Sequence, residues 1–555
     1  MLPKKEFLNF PFVLIIGFII LISGYLLFFT GIIDIKAAAG DLITSFDGDG
    51  IVVFNPSSGD DTPNATAIDS SGIYVVGWDE AIALGNPQWR IEKRSTSTGA
   101  LVTSFDGDGI VQGNFSSTND IANAIAIDST YMYVAGYDMS LGSGNAQFHI
   151  EKRNLTTGAL VTAFDGEGIV QSNFSSANDI ANAIAIDSTY MYVAGYSGIS
   201  GSNVQWYIEK RNLSNGALVT SFDGDGRVVS NPSSDQDVIF SIAIDSTYMY
   251  VAGYDSSPGS GNSQWRIEKR NLTTGALVTA FDGDGIVVSN PSSGGDTIRT
   301  IAVDSSGIYM AGNNVGDPLP WLIEKRNLTT GALITAFDDD GLVNSSGEPY
   351  AIAIDSTYMY VAGYDWPGGD WQWRIEKRNL SNGALVTSFD GDGIVTSNPT
   401  IARGDAILSI AVDSSGIYAV GYDSTPGNNV QWRIEKRSNT TTCTGPVSIS
   451  WIDSSIIANS TKIRKVHVDE LRSWIDSRRV DAGLSNYSWT DSSIIANSTK
   501  IRKIHMDEMR SAISSVYTTC GQSAPSWTDS TITANSTKIR KIHMDELRSS
   551  VSNAP

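Results

Sequence analysis

Seven near-copies of one unit of roughly sixty residues run from Asp41 to Arg437, and nothing else in the chain narrows the possible folds as much. The units start at Leu42, Leu101, Leu160, Leu218, Leu277, Leu333 and Leu385, spaced 59, 59, 58, 59, 56 and 52 residues apart. Each carries the phrase FDGDG or a close variant, at Phe46, Phe105, Phe164, Phe222, Phe281, Phe337 and Phe389. A unit repeated at this period buries its faces only against its neighbours, which leaves propellers, solenoids and open arrays.

The second unit shows which of these fits. Ala124–Ile127 reads as a short strand and Asp128-Ser129-Thr130 as a tight turn. Tyr131–Tyr137 (YMYVAGY) is a β-branched and aromatic strand. After a Gly/Ser/Asn loop, Gln147–Arg153 (QFHIEKR) makes a third strand, Asn154–Gly158 a turn, and Ala159–Phe164 a fourth strand. Four antiparallel strands repeated seven times describe an all-β, seven-bladed β-propeller. A parallel β-helix has shorter rungs and lacks this hairpin punctuation. The array begins with a fourth strand (Leu42–Phe46, continuing through Val52-Val53) and ends with a third (Trp432–Arg437). The last blade, Ser409–Arg437, is therefore expected to borrow its fourth strand from the N-terminal segment, which closes the ring and removes its open edges.

Units of this form, A-I-x-x-turn-x-Y-V-A-G-Y … R … G-x-L-x-x-S-F-D-x-D-G, resemble the bacterial delta-sixty repeat over residues 42–437. The resemblance implies a β-propeller in an exported protein and no particular activity. In that family the stretch matching Phe46–Gly50 is mostly glycine, so the second acidic residue is a feature of this chain.

Ahead of the repeats, Lys4 and Lys5 precede an uncharged, mostly apolar run, residues 7–33. It is long enough to span a bilayer, which takes ~20 residues, with the lysines on the cytoplasmic side. Ala37-Ala38-Ala39 offers a cleavage site. Residues 1–39 thus read as a signal peptide or signal-anchor helix, and the rest as extracytoplasmic, either membrane-anchored or released by cleavage near Ala39. The propeller is assigned to 40–437, a Ser/Thr-rich linker to 438–450, and three helical repeats to 451–555.

Charge divides along these lines. The whole chain carries −22, but residues 444–555 hold 14 basic and 11 acidic side chains and residues 1–39 hold three and two. The repeats are left with 21 basic and 47 acidic residues, a net of −26. That argues against nucleic acid and anionic membrane surfaces as their partners, since both require positive charge, and permits cations and basic partners.

Three groups of residues are candidates for chemistry. The acidic turns supply Asp47/Asp49, Asp106/Asp108, Asp165/Glu167, Asp223/Asp225, Asp282/Asp284, Asp338/Asp340 and Asp390/Asp392, fourteen carboxylates expected at one rim. Ca²⁺ favours oxygen-rich acidic loops, so a calcium-stabilised rim is one reading. The other is turn chemistry, because Gly takes positive φ cheaply and Asp tolerates it; no downstream Glu completes a calcium loop. The third strand, QWRIEKR, alternates Trp89, Trp206, Trp265, Trp373 and Trp432 with isoleucine, while Arg90, Glu92 and Arg94 take the other face. Aromatics and arginines can hold a sugar or peptide, but packing between blades is the stronger expectation. His149 is the one histidine of the repeats and stands where other units have Arg90, Tyr207, Arg266, Leu322, Arg374 and Arg433. A position so varied argues against a base or ligand. Sequons such as Asn154-Leu155-Thr156 and Asn271-Leu272-Thr273 fall on turns and are explained by them.

From Trp451 the period becomes 38, with Trp451, Trp489 and Trp527 heading copies of W-x-D … S-T-K-I-R-K-x-H-x-D-E-[LM]-R. Lys500–Val516 reads as a helix capped by Ser498 or Thr499, with Ile501, Ile504, Met509, Ala512, Val516, His505 and Glu508 on one face and Lys500, Arg502, Lys503 and Arg510 elsewhere. The pairs His467/Glu470, His505/Glu508 and His543/Glu546 are expected to satisfy each other or an indole N–H. A metal would find too few ligands there. These modules resemble short helical repeats near the ends of bacterial secreted proteins, which implies location alone. Cys443 and Cys520 precede matching tryptophans and can bridge in an oxidising exterior.

The expected function is a non-enzymatic surface or secreted protein: a propeller disc that binds a protein or polysaccharide, without a cofactor, and a basic C-terminal spacer or envelope-attachment module. The alternative is a propeller hydrolase or lyase acting on extracellular polysaccharide. It would have to draw on departures such as Asp338-Asp339-Asp340 and the Trp366/Trp371/Trp373 cluster of the shortened sixth unit.

Overall fold

The computed structural model describes residues 39–555 apart from 81–84, 143, 201–202, 260, 315–319, 400–403, 425–428, 440–447, 454–463, 483, 485, 492–501, 521, 534–538 and 555. The apolar run 7–33 and Cys443 lie outside the described residues. Among the described residues no helix is long and apolar enough to cross a membrane.

Twenty-eight strands form seven four-stranded antiparallel sheets, the blades of a propeller. Blade two consists of Ile121–Ile127, Tyr131–Asp138, Gln147–Asn154 and Ile169–Ser172. Its first turn is fixed by Asp128, whose Oδ1 accepts the N–H groups of Thr130 and Tyr131 at 2.7 and 2.8 Å. The ring closes as expected: Ile51–Phe54 pairs antiparallel with Val430–Arg437 and is the outer strand of the last blade.

The fourth strand is the main correction to the sequence reading. It lies beyond the acidic turn, at Ile169–Ser172 rather than Ala159–Phe164, and at Ile51–Phe54 rather than Leu42–Phe46. Leu160 makes only an isolated bridge to Arg153. The chain then winds tightly, Phe164 N–H bonding to the Val161 carbonyl and Gly168 N–H to that of Phe164. The alternation in LVTAF arises because Phe164 is buried between blades, while its backbone is occupied by these turns.

Three sets of contacts join the blades. The third strand is buried along its length, with Trp89, Trp206, Trp265, Trp321, Trp373 and Trp432 in the core. The Trp206, Trp265, Trp321, Trp373 and Trp432 indole N–H groups each donate to a carbonyl of the next blade. The repeated lysine does likewise, from Lys93 on the Leu155 carbonyl (2.8 Å) round to Lys436 on that of Thr96 (2.7 Å). The first aspartate of every acidic turn gives its N–H to the following blade, Asp390 closing the set on Ala39 (2.8 Å).

The innermost strands touch one another around the axis. Each contains one β-bulge, in blade two between Ala122 and Ala124. Gly136 stands opposite because a Cβ there would overlap the Ile121 carbonyl, so the glycine of V-A-G-Y makes room for the bulge. A bulge re-aims the inserted side chain. The inserted residues are Asn64, Asn123, Asn182, Phe240, Arg299, Tyr350 and Leu408, all half-buried.

The C-terminal modules contribute helices α1 (Lys465–Asp481), α2 (Lys503–Thr519) and α3 (Lys541–Ser552) around a shared core that includes Leu471, Met509, Val516 and Leu547. Two expectations fail on α2. Ile504 is 41% exposed, and Arg510 is buried. Arg510 lies over the Trp527 ring at 4.9 Å and gives Nη1–H to the Asp529 carbonyl at 2.7 Å. Arg472 does the same to Trp489 and Asp491, and Arg548 returns to Trp451 and Asp453, so the three modules close cyclically. The N-cap of α2 is Arg502, whose N–H is accepted by His505 Nδ1; Ser498 and Thr499 lie outside the described residues.

Candidate functional site

The acidic turns all leave one face of the ring, because the connections between strands one and two and between three and four emerge together. Asp47, Asp106, Asp165, Asp223, Asp282, Asp338 and Asp390 take φ near +50°, the left-handed region. The second carboxylate caps the fourth strand. Asp49, Asp108, Asp225, Asp284, Asp340 and Asp392 each accept the N–H two residues on, at 2.8 to 2.9 Å. Glu167 occupies that place in the remaining blade. Among the described residues no three His, Cys, Asp or Glu side chains converge as a metal cage. Turn geometry gives the second carboxylate of six of these turns its hydrogen bond.

The polar face of QWRIEKR is a buried charge network. Arg90 bonds Asp79 at 2.8 Å and Glu92 at 2.6 Å, and Arg94 bonds Glu92 at 2.7 Å. Arg90 also stacks over Phe54 of the closing strand, 4.9 Å from its centroid. The network varies as a unit. Where Tyr207 or Leu322 replaces the arginine, Ser197 or Asn314 replaces the aspartate, and where Asp138 remains a second cation, His149, faces it. His149 Nδ1 lies 2.9 Å from Asp138 and Nε2 3.5 Å from Glu151. Burial disfavours its charged form, but the two carboxylates outweigh burial and raise the imidazole's pKa, and Glu151 is held down at about 2. His149 is therefore a substitute arginine. The sequons are likewise structural: Asn154 Oδ1 accepts from the N–H groups of Thr156 and Thr157.

In the C-terminal modules His and Glu do not pair with each other. His505 Nε2–H donates to Asp491 at 2.7 Å, and Glu508 accepts the Thr490 N–H at 3.0 Å. His467/Asp453 and His543/Asp529 repeat the first contact, and Glu470 and Glu546 the second. Hydrogen bonds from His505 and then Arg502 hold Asp491 below the usual carboxylate range. Each group is satisfied within the fold. Cys520 is disulfide-bonded.

The seven bulge residues form a second ring in which the blades differ, here without a compensating change in one partner position. They line the axial opening on the face opposite the acidic turns, since each bulge lies near the start of its innermost strand. One sector is amide. Asn64 donates Nδ2–H to the Ala122 carbonyl, Asn123 to Ala181 and Asn182 to Ile239, at 2.8 to 3.0 Å. The opposite sector is an aromatic run with one cation. Tyr254 packs on Phe240 (6.0 Å), and the Arg299 guanidinium lies 5.1 Å from Phe240 and 5.4 Å from Tyr350. Tyr350 meets Tyr364 (6.0 Å), which stacks on Trp371 at 4.4 Å and 15°. Arg299 is neutralised by Glu348, with Nη2 2.8 Å from Oε1, and Glu348 Oε2 accepts the Tyr364 hydroxyl at 2.9 Å. Burial, then the Glu348 charge, pushes the Tyr364 hydroxyl far above its ordinary range, the wrong direction for a base. These side chains can stack and hydrogen-bond a ligand. They form no acid–base pair.

Sequence reading placed the sixth-unit tryptophans among the candidates but missed this ring. Trp371 reaches it through its stack on Tyr364; Trp373 is interblade core, and Trp366 is 51% exposed. The missed signal is the column reading Asn, Asn, Asn, Phe, Arg, Tyr, Leu, which belongs to a variable start of the inner strand; the repeat becomes regular only after it, at Ala65, Ala124, Ala183, Ser241, Thr300, Ala351 and Ser409.

Comparison with protein-family models and with curated proteins finds no match. Among solved structures, extracellular domains 1–2 of Drosophila semaphorin 1b match 72% of this chain and 87% of their own, at 7% identity and TM-score 0.37. Chaetomium thermophilum Sqt1 matches 72% and 98% at 10% identity and TM-score 0.36. An acylaminoacyl peptidase of Pyrococcus horikoshii matches 68% and 52% at 9% identity and TM-score 0.35. Scores at this level carry no inference about activity or ligand.

Proposed function

We propose that this chain is an exported, non-enzymatic binding protein, anchored by residues 7–33 or released near Ala39. In this reading the propeller is a rigid disc that presents a ligand site, and the C-terminal modules are a spacer or an attachment to envelope polymers. One observation carries it. One mouth of the axial opening differs from blade to blade and brings together stacking aromatics, amides and a self-neutralised Arg299–Glu348 pair. Recognition sites are built from such groups. The same observation weighs against the hydrolase or lyase reading, because Tyr364 and Glu348 bond each other and Arg299 rather than present a free acid and base. A rigid ring suits binding, since a site held by closed interblade contacts loses little freedom when a ligand arrives.

The test is surface labelling of intact cells expressing the full chain, followed by incubation of the labelled protein with cell-envelope polymers. Labelling, with retention on polymer and no release of shorter products, is the expected result. A protein confined to the cytoplasm, or one that shortens the polymer, sinks the proposal.

A further inference from the structure

We propose that the mouth takes a neutral saccharide chain, laid across the aromatic sector with its hydroxyl groups on Arg299 and the amide sector. The inference rests on reading this mouth as the ligand site. It follows from what the ring offers and what it withholds.

The offer is aromatic and uncharged. Tyr350 and Trp371, both half-buried, flank the buried Tyr364 at ring distances of 6.0 and 4.4 Å, so the strip's reachable faces are those of Tyr350 and Trp371. A pyranose presents an apolar C–H face and a rim of hydroxyl groups, so it can stack on such a strip while hydrogen-bonding sideways. The bonding partners are in place. Arg299 uses Nε and Nη2 on Glu348, which leaves the Nη1 donors for a ligand, and its side chain is 27% exposed. Across the opening, Asn64 and Asn182 have their Nδ2 groups on backbone carbonyls, which turns the amides into fixed acceptors.

What is withheld is net charge of either sign. Glu348 cancels Arg299, and the repeats carry −26 overall, so a uronate, a phosphate polymer or a nucleic acid is repelled. A basic peptide is the rival that penta-arginine tests, since Asp60 is exposed in a loop that links the blades and Glu80, Asp235 and Asp370 are half-buried. Asp61 and Asp120 are buried there, and Asp120 accepts the N–H groups of Phe115 and Ser116 and the Ser116 hydroxyl. A neutral ligand with apolar faces and hydroxyl edges is what fits the groups at the mouth itself.

The experiment titrates the full-length protein, in a detergent without a sugar headgroup, with cellohexaose, xylohexaose, mannohexaose and chitohexaose. Oligogalacturonate and penta-arginine serve as charged comparisons. Tryptophan fluorescence and calorimetry report binding. At least one neutral hexasaccharide is expected to bind, with Tyr350→Ala and Trp371→Ala each weakening it about tenfold, the scale of one lost aromatic contact. Asn182→Ala weakens it less, and Asn344→Ala, on the outer strand of blade five, leaves it unchanged. Thermal melts of each variant confirm folding. Tighter binding of oligogalacturonate or penta-arginine overturns the neutral-saccharide assignment. So does failure of every saccharide while an envelope protein is retained in a Tyr350-dependent way, an outcome that keeps the mouth as a site. If no saccharide binds and Tyr350→Ala alters retention of no envelope component, both the assignment and the site fall.

Discussion

Two cyclic arrays occupy this chain, and they treat their symmetry differently. The propeller closes when Ile51–Phe54 completes the last blade, and the C-terminal modules close when Arg548 reaches back to Trp451. In the three-module ring every copy keeps the same Arg–Trp–Glu and His–Asp contacts, at nearly the same distances. In the propeller the lysine and acidic-turn ties recur in all seven blades and the indole tie in five, while the bulge column changes from amide to aromatic to cation. Contacts that hold a ring together are copied because each interface faces the same packing problem. A position that escapes copying without a compensating change inside the ring, as the His149 column has, answers to something outside it. By that criterion the propeller contains a site and the triplet, within its described residues, displays only its own construction.

The largest test strikes closure. Trp432→Ala removes an indole packed between the last and first blades, along with its bond to the Trp78 carbonyl and its contact with Arg90. The expected loss is about 4 kcal/mol, read as a lower urea midpoint. A loss under about 1 kcal/mol would mean that the seventh interface is looser than the others.

His149 tests whether variation in the propeller is always functional. As a substitute arginine, it should tolerate Arg and reject Leu, with His149→Leu costing about 3 kcal/mol by taking one buried partner from Asp138 and Glu151, which keep Gln147 and Arg153. Its folded pKa is raised above the free value. Its stabilisation is therefore complete below the ordinary imidazole range and fades as pH climbs through the raised value. Urea midpoints measured from mildly acidic to mildly alkaline buffer should decline for the natural chain relative to His149→Arg. Parallel profiles would show that the ring is held neutral.

Blade number and ring closure were legible in the sequence because period and turn residues report them directly. The fourth strand was misplaced because alternation marks which side chains are buried and says nothing about where the N–H groups go; around Phe164 they go to turns. Arg510 was assigned to the outside of its helix because a helical wheel knows only its own helix, whereas the partner, Trp527, sits on the next module. The mouth was illegible for a related reason. A bulge turns one residue of an ordinary strand toward the axis, and its only local trace is the glycine opposite.

The symmetry of the triplet makes a sharper prediction than its stability does. Arg472→Ala, Arg510→Ala and Arg548→Ala each remove one stacked guanidinium and its bond to a neighbouring carbonyl, and should each cost about 2 kcal/mol. Equal melting shifts are expected. An outlier among the three would mark the module that has a task besides closing the ring.

The smallest effects separate the two carboxylates of a single acidic turn. Asp108 caps the strand that begins at Ile110, so Asp108→Ala should cost about 1 kcal/mol. Asp106 contributes its N–H to the Thr157 carbonyl and sits at φ 49°, where glycine is at ease. Asp106→Gly keeps that bond and relieves the backbone while loosening the unfolded chain, so its effect should stay within about 0.5 kcal/mol. The melting curves should not depend on whether calcium or chelator is present. If saturating calcium raised the midpoint, and both substitutions abolished the rise, the acidic face would hold ions by mass action. The copied turns would then have a use beyond construction, and the rule that only uncopied positions answer to the outside would fail on this face of the ring.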